Sequence, residues 1–221
     1  MKKYEFTGET MYHIGTKLYR IRALRDLHIV SHRKYKPDIH VRRGDVGGWI
    51  ESEANLSHDG NCWVDDDAKV MGEATVADDA YVADKAIVQD RATVKGMSRV
   101  VDNARVKDLA EVKDNAKVAQ NALVCNYAEI KGNGYVADNA VVRDFGWVCG
   151  DGCVYDSARI CNNSHVLGSG RVGGSARLEG DCRVYENGVV DGSAYLRNKH
   201  VGWKQHEDGT YRESRWNPYS Y

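Results

Sequence analysis

The sequence predicts an all-β chain, a parallel β-helix solenoid of about seven to eight coils with a small cap at each end. Three observations carry this. Valine or a close relative recurs every six residues from Val64 to Leu196 without a slip; nineteen of the twenty-three positions are Val and the others are Ile130, Ile160, Leu178 and Leu196. Two residues before each stands a small residue: fourteen Ala, five Gly, two Ser and two Cys. The last two residues of each hexapeptide form a turn pair such as Asp-Asn, Asp-Asp or Gly-Ser. Small-x-Val has the strand period of two, so both residues point to one side. The restart after six residues leaves no room for a helix. Asp, Asn and Gly suit a tight corner.

This unit resembles the hexapeptide-repeat superfamily. The resemblance implies left-handed triangular coils with three hexapeptides per turn. The handedness comes from the resemblance alone, since general topology rules favour right-handed crossovers. It covers residues 62–196, about three-fifths of the chain. At a rung spacing near 4.8 Å, seven and a half coils give a prism on the order of 36 Å long. Enzymes and non-enzymes share this fold, so it names no activity.

Residues 1–49 read as an N-terminal β cap, because an open coil exposes backbone and core. Leu18–Leu24 alternates like a strand, and Gly44–Gly48 reads as a turn that feeds Trp49 and Ile50 into the first coil. The cap holds eleven Lys/Arg against five Asp/Glu, whereas residues 50–197 hold sixteen against twenty-four. A basic end on an acidic body orients a protein toward a charged partner. The stretch GDVGGWIESEANLSHDGNCWV (residues 44–64) resembles the segment leading into the coils of bacterial and prophage-borne hexapeptide proteins termed YdcK-like. That lineage implies no established activity; its prophage character suggests interference with a host defence system.

Residues 50–197 are the coils. Ala54-Asn55-Leu56 reads as one further unit, set apart from Cys62-Trp63-Val64 by two extra residues. Residues 198–221 break the repeat. There Glu207-Asp208-Gly209 marks a hairpin turn, with Trp203, Tyr211, Trp216, Tyr219 and Tyr221 available to cover the last coil.

Every third hexapeptide shares a face. The first carries Trp63, Tyr81, Val101, Tyr135 and Tyr155, an apolar strip that reads as a dimer or trimer interface. The second carries Lys69, Arg105, Lys107, Arg143, Arg159, Arg177 and Arg197, a cation row suited to a protein or polyanionic partner, acidic or nucleic-acid-associated. Pairing of Asp102 with Arg105, or of Asp156 with Arg159, is the bland alternative. The third face is mixed and reads as solvated. Asp66, Asp84, Asp102, Asp138 and Asp156 line one corner. They read as turn residues bonded within their own turns rather than as calcium ligands, with Gln120 interrupting the row.

No catalytic residue, cofactor or metal site is predicted. By resemblance, acyltransferases of this superfamily use acetyl-CoA, a loop thrown out from one coil and a general-base His. These coils have no insertion and a single His, His165. The alternative reading is a CoA-dependent acyltransferase with a site between subunits, using His28, His32, His40 or His165. The related carbonic anhydrases use three zinc-binding His, a set these coils lack. The six cysteines are irregularly spaced and form no zinc cluster. Neither a membrane span nor an apolar segment behind Lys2 and Lys3 is present, so the reading is a cytoplasmic chain with reduced thiols.

Overall fold

The structure, a computed structural model, describes residues 2–30, 38–205 and 211–213. From Trp63–Val64 onward, two-residue strands recur every six residues. Each pairs in parallel with the strand eighteen residues later, as in Val64↔Val82, Val70↔Val88 and Val76↔Val94. Three parallel sheets result, one per face, in a β-solenoid of about eight turns. Every repeat position from Val64 to Leu196 is buried. The fold is therefore the one the six-residue period predicts. Among the described residues, no helix is long and apolar enough to cross a membrane.

The corners hold the coils in register. The first residue of a turn pair takes a left-handed conformation, with φ of 59° at Asp84, 62° at Asp102 and 58° at Gln120. Asp and Asn tolerate that region better than most residues. The side chain accepts a backbone N–H from the next coil rather than from its own turn. Asp102 N–H donates to Asp84 Oδ2 at 2.9 Å, and Gln120 N–H to Asp102 Oδ2 at 2.9 Å. Asp138 N–H then donates to Gln120 Oε1 at 2.8 Å. Gln120 continues the row, because an amide carbonyl accepts as a carboxylate does.

The cap is an extension of the second sheet. Strands β1 (Tyr4–His13) and β2 (Thr16–Ala23) form an antiparallel hairpin. β2 pairs antiparallel with β5 (Val46–Ile50), which pairs in parallel with Lys69–Val70. The expected turn at Gly44–Gly48 is thus shorter, since Gly47 and Gly48 lie within β5. Between β2 and β5, strands β3 (Leu27–Ile29) and β4 (Ile39–Val41) pair antiparallel. The early unit at residues 54–56 forms in part: Leu56 bridges Val76 in parallel, whereas Glu53–Asn55 make a 3-10 turn instead of a strand.

Each coil's N–H groups donate to the coil after it, so the first coil leaves carbonyls open. The cap supplies the donors. Trp49 N–H meets Ala68 O at 2.9 Å and Ser57 N–H meets Val76 O at 2.9 Å. The buried Asn55 amide donates to Gly72 O at 2.9 Å and Ala74 O at 2.8 Å. The fully buried Lys3 amine donates to Cys62 O at 2.8 Å, and burial pushes its pKa down.

At the far end the third sheet runs past the expected boundary at 197. His200–Val201 pairs with Arg183–Val184, one residue short of the eighteen-residue repeat. Trp203–Gln205 and Tyr211–Glu213 then form the predicted hairpin. Its turn at Glu207-Asp208-Gly209, and the aromatic side chains expected to cover the last coil, lie outside the described residues.

Candidate partner-binding face

The cation row occupies the sheet that the cap extends, and the cap shapes its first third into a groove. Met11 and Leu18 on the hairpin pack with Trp49, Met71 and Ile87. Arg20 lies over the Trp49 ring at 4.8 Å and reaches Asp67 at 3.5 Å. Below the hairpin an open groove is lined by Met11, Trp49, Lys69, Lys85, Ile87 and Arg105, with Asp67 and Asn103 beside them. Lys69 donates to Asp67 O at 2.8 Å.

The groove is electropositive. The Lys69 pKa is lowered by burial, and Arg20 and Lys85 push the same way against Asp67. The His13 pKa is lowered by burial and then by Lys69 and Arg105. Cations that disfavour one another's charge define a place where an anion is stabilised.

Beyond the groove the row is uneven. Lys107 lies 3.7 Å from Asp108, and Arg143 lies 3.9 Å from Asp144 while its Nε donates to Cys161 Sγ at 3.3 Å. Arg177 is paired with Glu179, which also accepts the Tyr195 hydroxyl at 2.6 Å. Arg105 and Arg159 are exposed and have no ion-pair partner within 4.0 Å among the described residues. The alternative of pairing with Asp102 and Asp156 is not realised. Those carboxylates accept Gln120 N–H and Gly174 N–H, each at 2.9 Å. Arg197 is exposed at the last coil.

The first face differs from its expectation. Trp63 is fully buried and leaves the exposed strip, because β5 crosses it: a Cβ on Gly47 would collide with its ring. Tyr81 is partly buried and donates to Asp65 Oδ2 at 2.7 Å. Tyr155 lies over Gly173, where a Cβ would also collide. Val101 and Tyr135 are half-buried. The hairpin lies against the second face, not this one.

The third face is an ion ladder. Lys95, Glu111, Lys113, Glu129 and Lys131 connect in sequence at 2.6–3.2 Å. Lys131 sits 4.3 Å over Trp147, which stacks on His165 at 4.8 Å. Burial and then Arg183 lower the His165 pKa. His28 and His40 stack on each other at 4.6 Å across β3 and β4, on a separate part of the molecule; His32 lies outside the described residues. All six cysteines are free, and no group of three or more His, Cys, Asp or Glu among the described residues is placed to hold a metal ion.

The reading of turn pairs as corners only missed one feature. Leu109, Tyr127 and Phe145 stand one above another at the corner after the cation row, all exposed. Tyr127 and Phe145 stack at 5.1 Å. Their spacing of eighteen residues was the signal, because it places large apolar side chains in a column where Asp, Asn and Gly are the rule. No protein-family model matches this chain, and no curated protein matches it.

Proposed function

We propose that the protein is a non-catalytic binding scaffold whose second face engages an acidic segment of a protein partner. The groove between the hairpin and the cation row carries this reading, because Lys69, Lys85 and Arg105 line it against one carboxylate, Asp67, and an anion there would meet three cations. Both neighbouring corners bear carboxylates, Asp84 and Asp102 on one side and Asp108 and Asp144 on the other. A narrow positive strip between two negative columns suits a single extended peptide. A broad polyanion such as duplex nucleic acid would meet the negative columns as well, and the coils as a whole carry excess negative charge.

The test uses a fluorescein-labelled peptide, (Glu-Ser-Ser-Ser)3-Glu, with oligo-dT of similar length as comparator, read by fluorescence anisotropy. The peptide is expected to bind at low salt, to weaken as salt rises, and to lose about tenfold or more in affinity in the Lys85→Glu/Arg105→Glu variant. Absence of peptide binding, or equal affinity for the folded variant, would remove this reading. Tighter binding of oligo-dT would replace the protein partner with nucleic acid.

A further inference from the structure

One outward column of the second face is apolar in its middle, with Cys125 and Arg143 in the column beside it. Along the sheet the outward side chains run Arg105, Leu123, Val141, Arg159, each paired in register with the next. Leu123 and Val141 are half-buried, and across the corner, past Asn126 and the Arg143–Asp144 pair, stand Tyr127 and Phe145, 55% and 56% exposed, and Trp147, 37% exposed. Aromatic residues and Arg around an apolar centre are the composition of a protein–protein contact. A stacked pair of rings fixed to two rigid coils loses little freedom on docking.

Resting on the acidic-partner reading above, we infer that the partner segment is acidic and amphipathic, an extended strand of the form acid-x-apolar-x-acid. Its carboxylates meet Arg105 and Arg159, and its apolar side chain seats on Leu123 and Val141 beside the Tyr127–Phe145 ridge. The dimensions agree. Three rungs separate the two arginines, about 14 Å at 4.8 Å each, and four residues of extended chain span about 13.5 Å. The row also argues against a second copy of this chain as the occupant. Its column Arg105–Leu123–Val141–Arg159 is a palindrome of charge, so a two-fold axis through its centre sets Arg105 against Arg159 of the other copy. Parallel docking sets each arginine against itself. Like charges face each other in both, and only an acidic partner satisfies Arg105 and Arg159 together.

The experiment compares two labelled peptides on the full chain: the acid-only (Glu-Ser-Ser-Ser)3-Glu and the amphipathic (Glu-Ser-Leu-Ser)3-Glu. The amphipathic peptide is expected to bind about tenfold tighter, with the advantage lost in Tyr127→Ser/Phe145→Ser and in Leu123→Ser/Val141→Ser. All four positions point outward, and circular dichroism confirms folding of each variant. Equal affinity of the two peptides for the wild type overturns the amphipathic inference while leaving the acidic reading intact. Failure of both peptides to bind removes the acidic reading and this inference with it. Sedimentation showing a dimer that Tyr127→Ser/Phe145→Ser converts to monomer makes a second copy the occupant and overturns the inference as well.

Discussion

Within the coils, the carbonyl of Ala86 is met by the N–H of Lys69 and that of Ala104 by the N–H of Ile87, and the same exchange recurs along the prism. At the N-terminal end, equivalent carbonyls are met instead by the Asn55 amide, the Lys3 amine and the backbone of β5. The body repeats one solution; the cap assembles several different ones. A repeat array spreads its stability over similar interfaces between neighbouring coils. The cap concentrates its contribution in side chains that occur once. The two regions should therefore respond differently to substitution.

The largest effect is expected in the body. Val112 is fully buried, with Val94 and Ile130 in the rungs on either side. Val112→Asp puts an unpaired charge in a narrow core and should cost more than about 4 kcal/mol. Thermal melts followed by circular dichroism should show loss of the wild-type transition. Lys113→Asp, one residue on, should cost on the order of 1 kcal/mol, through lost pairing with Glu111 and Glu129. Equal melting temperatures for the two variants would break the inward–outward division on which the body rests.

A smaller and more local effect is expected at the cap. Asn55→Ala removes the donors to Gly72 O and Ala74 O and the acceptor of Ser52 N–H, which lies 2.8 Å from Asn55 Oδ1. Leaving such groups unsatisfied should cost about 2 kcal/mol. Hydrogen exchange should quicken in residues 49–76, while amides near Val112 keep their protection. Uniform loss of protection along the chain would show that cap and body unfold as one unit.

The same contrast explains how much was legible in advance. The coils were readable because one rule, a small residue and then Val every six residues, fixes strand, face and burial together. Trp63 was misplaced because its position obeys that rule while a strand from outside the repeat, β5, crosses over it. Gln120 was misread because the period reports residue type, whereas the corner needs only an acceptor oxygen. The groove was not legible, since it depends on which sheet the hairpin extends, and β2 carries no periodic signal that selects one. The ridge of Tyr127 and Phe145 was present in the sequence, at turn positions whose expected residues are polar.

Acid titration separates the two regions by the smallest expected effect. Both hold a glutamate below its ordinary range. Burial opposes ionisation of Glu111, but hydrogen bonds from Lys113 and Lys95 outweigh it and lower its pKa from 4.5. Glu53 in the cap is lowered chiefly by the hydrogen bond from Lys2, on an exposed surface. A carboxyl lowered on folding contributes stability above its unfolded pKa, and that contribution is lost as pH falls through the folded value. Urea unfolding between pH 5.5 and 3 should therefore show stability falling with pH, and Glu111→Gln should flatten the fall by an amount on the order of 1 kcal/mol or less. Lys95, Lys113 and Glu129 surround Glu111 along a rigid ladder, so part of its contribution should persist at about 0.5 M salt, where the Debye length is only a few ångströms. Glu53→Gln should match the wild type under that condition, because the exposed Lys2–Glu53 pair is screened. A larger flattening from Glu53→Gln than from Glu111→Gln at high salt would place the acid sensitivity in the cap, against the view that the body's repeated contacts outlast the cap's solitary ones.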